Sequence, residues 1–181
     1  MIKLNLGCGA DIRNDWINCD FIKHNDIKHD DINLLLDLSK SLPFKDDSID
    51  EILISHVLEH IQNWENTMQE IIRILKSNGQ LTIMVPYGLS LVPYHLRYFD
   101  SHTLDIYFNN CNRFYNDCFQ SRFKKPPFKL IEKKIKRRIW FGWHIKHYLK
   151  IKYFDSKPIE WPILDKCEIT WKLSKTDTYI C

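Results

Sequence analysis

The sequence is short of the features that would place it in several broad classes. Its 181 residues contain no apolar run approaching the roughly 20 residues that a membrane-spanning helix needs. The chain enters an apolar run at Leu4 without the charged start and apolar core of a secretory signal, so a cytoplasmic protein is expected. Six cysteines (Cys8, Cys19, Cys111, Cys118, Cys167, Cys181) show no Cys-x-x-Cys spacing and no disulfide-scaffold density. Reduced thiols are the plain reading. No Gly-x-Ser-x-Gly elbow presents a serine nucleophile. Neither an internal repeat nor a disordered linker divides the chain. A single domain over residues 1–181 is expected, long enough to bury a sizeable core.

What is present is organised around Leu4-Asn5-Leu6-Gly7-Cys8-Gly9. A short apolar run breaking into two glycines one residue apart reads as a buried parallel strand ending in a tight turn. Glycine accepts positive φ and lets the backbone approach a ligand closely. Amides freed at such a turn favour a negatively charged group. Trp16-Ile17-Asn18-Cys19-Asp20 is a second apolar run ending in an acid, whose carboxylate can accept both hydroxyls of a ribose. Ile12 stands where the dinucleotide fingerprint requires its third glycine, so pyrophosphate recognition is not expected. A nucleoside carrying a smaller anionic group fits better.

Further along, Ile32–Leu38 reads as a third strand, and Glu51–Ser55 as a fourth. Asn63 is placed to cap a helix bearing Met68, Ile71, Ile72 and Leu75 at helical spacing. Lys76-Ser77-Asn78-Gly79 reads as its end, and Leu81–Val85 as strand five, stopped by Pro86. Asp100-Ser101-His102-Thr103 opens a capped helix towards Phe108; Phe128–Trp140 and Cys167–Leu173 read as strands, and Trp143–Leu149 as helical. Only about one helical turn fits between Gly9 and Trp16, so the first helix is expected to be a stub. Alternating strands and helices argue for a doubly wound α/β sheet. In such a sheet ligands bind outside the carboxyl ends of the strands. Gly7–Gly9, Asp20, Asp37, Ser55-His56 and Pro86-Tyr87 all fall there.

Leu-Asn-Leu-Gly-Cys-Gly, Trp-Ile-Asn-x-Asp, Leu-Pro-Phe and His-x-Leu-Glu-His, in that order, resemble the class I S-adenosylmethionine (SAM) dependent methyltransferases. The likeness is to their small type 11 branch and covers about residues 1–105. It implies a Rossmann-like sheet, mainly parallel with a C-terminal antiparallel hairpin. Residues 1–105 would be the SAM-binding core and 106–181 the substrate-side closing strands. SAM is the implied cofactor, bound through Gly7, Cys8, Gly9, Asp20, Asp37, Leu38, Ser55 and His56. Asp37 would accept the adenine amino group and the Leu38 amide would face a ring nitrogen; by spacing alone Asp37 could equally cap the following turn. The acidic-or-amide Pro-Pro-aromatic signature of adenine and amino methyltransferases is absent after strand four, which argues against base N-methylation.

His56-Val57-Leu58-Glu59-His60 also matches the His-x-x-Glu-His pattern of inverted zinc peptidases. That rival needs both histidines on one helical face and a further acid as third ligand. The motif opens directly off a strand and no such acid is recognisable, so no metal is expected. His60 and Glu59 are read instead as orienting the loop or capping the helix. A non-catalytic module scaffolding a partner is the other alternative.

Methyl transfer requires mainly in-line placement, since the sulfonium methyl is already activated. The acceptor-side candidates are Tyr87, His95 and Arg97, with Tyr94 and Tyr98 as water-excluding neighbours. His95 titrates near neutrality, and Arg97 can fork a carboxylate or phosphate. These residues, with Phe128–Tyr148, are expected to form the rim over the methyl-donor site. Residues 1–120 carry ten basic against seventeen acidic residues, and residues 121–181 sixteen against six. The basic segment around Lys133–Arg138 suits an anionic acceptor such as RNA, a phosphorylated lipid or a nucleotide-linked sugar. The plainer reading, preferred on sequence alone, is a solvated strand face that Lys and Arg keep soluble.

Overall fold

The computed structural model describes residues 1–22, 32–88, 92–108, 126–137 and 167–176. Among these residues seven strands form one sheet: β1 (Lys3–Leu6), β2 (Ile17–Asp20), β3 (Leu34–Leu35), β4 (Ile49–Ser55), β5 (Leu75–Pro86), β6 (Phe128–Arg137) and β7 (Cys167–Lys175). Their order is β3-β2-β1-β4-β5-β7-β6. The first five run parallel, while β7 pairs antiparallel with both β5 and β6. This is the mainly parallel α/β sheet with an antiparallel C-terminal pair. Strand order changes direction at β1, which lies between β2 and β4.

The central strands β1, β2 and β4 carry consecutive buried residues, as strands covered on both faces do, while β5 buries alternate residues and β3 at the edge is exposed. Leu4, Leu6, Cys19, Ile52, Ile54, Leu81, Ile83 and Val85 are fully buried. Helix α1 (Trp64–Ile74) supplies Met68, Ile71 and Ile72 from one face. Asn63 holds the N-cap position, but its side chain makes no capping bond. Trp64 packs edge-on against Phe99 and Tyr107, at 5.6 and 6.0 Å between ring centroids. No helix among the described residues is long and apolar enough to cross a membrane.

Several expected boundaries move. No helix, not even a stub, connects β1 to β2; the crossover is a series of turns. Two buried asparagines replace it as a brace. Asn5 on β1 donates to the Asp11 carbonyl (2.6 Å) and to Asn18 Oδ1 (3.1 Å), while Asn18 on β2 accepts from the Arg13 amide and donates to the Arg13 carbonyl. Their amides satisfy backbone groups that a helix would otherwise have paired. The third strand is only two residues long. Lys76–Gly79 does not end a helix: the chain passes from Ile74 straight into β5, with an irregular register opposite Ile49–Glu51. Asn78 takes the positive φ, +62°, expected of Gly79. Gly79 is needed for room, since a Cβ there would lie 2.8 Å from both Leu75 Cγ and the Lys76 carbonyl. The capped segment after Asp100 forms, with Thr103 Oγ1 and the His102 amide on the Asp100 carboxylate, but yields a single 3-10 turn at Asp105–Tyr107. Trp143–Leu149 lies outside the described residues.

One ion pair staples the loop before β4 onto α1. Glu70 accepts from Arg73 Nε and Nη2, the Leu42 amide and Ser41 Oγ, while Arg73 also donates to the Leu42 and Phe44 carbonyls. The Arg73 guanidinium, chiefly, holds the Glu70 carboxyl down to about 2 from 4.5. A depressed carboxyl stabilises the fold above its unfolded value and loses that contribution as pH falls. Urea midpoints should therefore drop from pH 4.5 towards about 2. Glu70→Gln should cost about 1 kcal/mol at neutral pH, allowing for solvent screening, and flatten that drop. An unchanged pH profile would remove the pair from the stability account.

Candidate functional site

The carboxyl ends of β1, β2 and β4 meet at the switch in strand order. Gly7 (φ +69°) and Gly9 (φ +48°) make the turn after β1. The Gly7 and Cys8 amides both donate to the Cys19 carbonyl, at 2.8 and 2.9 Å. The Gly9 amide donates to Asp20 Oδ2 at 2.6 Å. The anion held by this turn is therefore the protein's own Asp20, which corrects the expectation of freed amides. Asp20 Oδ1 accepts from the Phe21 amide (2.7 Å), so backbone groups fix the carboxylate at the end of β2.

Gly7 is required on steric grounds. A Cβ there would stand 2.2 Å from Val57 Cγ2, because the turn after β4 packs directly on the turn after β1. At Gly9 a Cβ would meet nothing within 4 Å. Cys8 is buried, its Sγ facing Asp20 Oδ2 at 3.8 Å. Burial and the Asp20 charge push its thiol up to about 11, so it stays protonated and is no nucleophile.

Asp37 lies just after β3. Its Oδ1 accepts from the Ser39 amide (3.0 Å) and Ser39 Oγ (2.6 Å), with Lys40 3.3 Å from Oδ2. These contacts are the turn cap that spacing left open. Leu38 is buried and its carbonyl accepts from Thr67 Oγ1.

Ser55 ends β4, and His56 takes a left-handed conformation, φ +54°. Its Nε2 stands 3.1 Å from Glu168 Oε2 and its Nδ1 3.6 Å from Glu59 Oε1. Those two carboxylates, Glu59 first, raise the His56 pKa against the opposing effect of burial. Glu168 gave no local signal in the sequence. It reaches this edge because β7 runs antiparallel and pairs Glu168 with Pro86 at the carboxyl end of β5.

Segment 92–97 lies against the 3-10 turn Leu58–His60. The Leu96 amide donates to the Glu59 carbonyl (2.8 Å), and the His60 and His95 rings meet edge-on at 4.9 Å. His95 thus stands on the β4 side of the carboxyl edge, where burial lowers its pKa. Arg97 donates to the Gln62 carbonyl. Tyr87 is half-buried against the core, whereas Tyr94 and Tyr98 are 78% and 56% exposed and exclude little water. The expected rim also needs correcting at Phe128. That residue pairs with Lys175 at the opposite end of the sheet, and only the Lys136–Arg137 end of β6 reaches the carboxyl edge.

Strand order and site position together point to one fold. Residues 4–83 match the family of methyltransferase domains. Over those 80 of its 181 residues, from β1 into β5, the chain is similar to methyltransferase domains. Among solved structures, a SAM-dependent methyltransferase from Thermotoga maritima superposes with a TM-score of 0.58 at 15% identity, covering 97% of this chain and 82% of that one. A chain of the complex between the Haloferax volcanii Trm112 methyltransferase activator and a methyltransferase gives 0.55 at 14% identity, covering 97% and 82%. The [4+2]-cyclase SpnF gives 0.58 at 14% identity, covering 96% and 74%. Likeness at such identities shows the fold alone, and the cyclase illustrates that one fold hosts several chemistries. Among curated proteins, MJ0638 of Methanocaldococcus jannaschii is 45% identical over 51 residues. That stretch is 28% of this chain and only 22% of the relative's length.

Proposed function

We propose that the chain binds SAM across the carboxyl ends of β1, β2 and β4 and transfers its methyl group to an acceptor on the β4–β5 side. The observation that carries this reading is the juxtaposition at the switch point. Gly9 leaves open space there, the Asp20 carboxylate is held by backbone amides, and Ser55 and His56 close the β4 side. Asp20 takes the ribose hydroxyls, with Gly7, Cys8 and Gly9 beneath the methionine portion. Adenine lies towards Asp37 and Leu38, where the Asp37 turn cap must yield or share its carboxylate.

The reacting group of the acceptor enters beside His56, His95 and Tyr87, because the Leu96 amide bonded to the Glu59 carbonyl holds segment 92–97 against the turn that follows β4. Arg97 shapes that segment from the Gln62 carbonyl. Two cations of the described basic segment, Lys133 and Lys134, are engaged within the protein. Lys134 pairs with Glu132 at 2.6 Å, and Lys133 approaches Asp105 and donates to the Ser101 carbonyl. The acceptor is therefore selected mainly at the carboxyl edge rather than by the face of β6.

Incubation with methyl-labelled SAM and separate RNA, lipid and small-molecule fractions tests the transfer. One fraction should take up label and release S-adenosylhomocysteine. Tyr87→Phe and Arg97→Ala should slow that release severalfold with SAM affinity little changed. A protein that binds SAM but labels no fraction would support the non-catalytic module instead.

A further inference from the structure

Glu59 is 1% exposed, and neither carboxylate oxygen makes a hydrogen bond. A carboxylate removed from water without partners is costly unless it is protonated or faces a cation. Imidazoles surround it. His56 Nδ1 is 3.6 Å and His60 Nε2 4.0 Å from Oε1, and His95 presents a buried Nδ1 with no hydrogen bond. A carboxylate oxygen of Glu59 and one ring nitrogen each from His60 and His95 lie within 4.8 Å of one another. Ligands about 2.0–2.2 Å from a tetrahedral ion stand roughly 3.4 Å apart, so a small contraction closes the set.

The surroundings orient these groups. His60 Nδ1 faces the Tyr94 carbonyl at 3.1 Å. In the neutral ring that nitrogen carries the proton and donates, leaving the Nε2 lone pair directed to the cluster. Metal-ligating histidines are commonly fixed by such an outer-shell carbonyl. The bond from the Leu96 amide to the Glu59 carbonyl brings His95 to the same place from beyond β5.

We infer that Glu59, His60 and His95 form a binding site for a divalent transition-metal ion of the zinc class. Two imidazoles and one carboxylate suit such an ion and leave at least one coordination position open. The ligand set differs from the peptidase pattern, because Glu59 is a ligand rather than a base and the third ligand is His95. An oxygen or nitrogen of the methyl acceptor would occupy the open position; that role rests on the function proposed above, whereas the site itself does not.

The test uses the whole 181-residue chain, stripped with a chelator and titrated with Zn2+ and with Co2+ in the absence of SAM. Calorimetry should show one Zn2+ per chain, and Co2+ should develop the visible absorption of a low-coordinate nitrogen and oxygen site. Glu59→Gln and His95→Ala should each weaken binding at least about tenfold, the scale at which even outer-shell partners act. His102→Ala removes a histidine paired with Asp105 outside the cluster and should change nothing. Zn2+ should also raise the melting temperature of the stripped wild type but not that of Glu59→Gln. If Glu59→Gln fails to fold, His95→Ala carries the comparison from a more peripheral segment. Binding that is absent, or equally strong in Glu59→Gln, His95→Ala and wild type, overturns the site. Loss of SAM binding with intact Zn2+ binding would overturn only the methyl-transfer reading.

Discussion

Gly7→Ala should destabilise the protein by about 3 kcal/mol, combining left-handed strain with overpacking of a filled site. The methyl group would sit 2.2 Å from Val57 Cγ2, and rotation of Val57 offers no relief because its Cγ1 and Cβ are at 3.1 and 3.3 Å. Valine is also stiff about χ1. The β1 and β4 turns must therefore separate, which opens the place where the proposed methyl donor lies. Gly9→Ala is the companion, with positive φ but open space around the new atom. It should cost only about 1 kcal/mol in stability, yet weaken SAM binding, because that space faces the proposed ligand. Urea midpoints and SAM affinities for both variants check the contrast. Equal stability losses would mean that Val57 does not set the requirement at Gly7.

Asp20→Ala should reduce SAM affinity by about 1.5–3 kcal/mol, the usual scale for hydrogen bonds to a charged group. A second loss accompanies it, because the Gly9 and Phe21 amides give up their acceptor. Asp20→Asn separates the two. It keeps one carbonyl oxygen for the turn but cannot accept both ribose hydroxyls as a carboxylate does, so affinity should fall more than stability. Affinity unchanged in both variants would remove Asp20 from the ribose.

The sheet was legible where local pattern and burial agree. Leu4–Leu6, Ile52–Ile54 and Leu81–Val85 are apolar runs with no helical period, and each became a buried parallel strand. The spacing of Met68, Ile71 and Ile72 located α1 for the same reason. Boundaries failed where tertiary packing overrode local signals. Lys76–Gly79 looks like a helix end, but pairing with β4 draws it into β5 and gives the left-handed position to Asn78. The short β1–β2 crossover was legible as a difficulty, though not in its solution. A buried asparagine on each of two strands becomes a brace only once the strands are neighbours.

The candidate site divides in the same way. Gly7, Gly9 and Asp20 were readable because turn chemistry and a strand-end acid are local features. Glu168 was not, since only the antiparallel course of β7 brings it to the carboxyl edge. Asp37 offered two readings in the sequence, an adenine contact and a turn cap, and the structure has it capping its own turn. Glu59 and His60 were visible in the sequence, but their relation to His95 depends on a hydrogen bond spanning strand β5.

Calorimetric titration of the folded wild-type chain with SAM, and separately with S-adenosylhomocysteine, tests whether the carboxyl ends of β1, β2 and β4 form a methyl-donor site. One ligand per chain should bind in both titrations, with Asp20→Ala weakened and circular dichroism confirming an intact fold. Failure to detect binding of either ligand, by calorimetry and by equilibrium dialysis, to folded protein would contradict it.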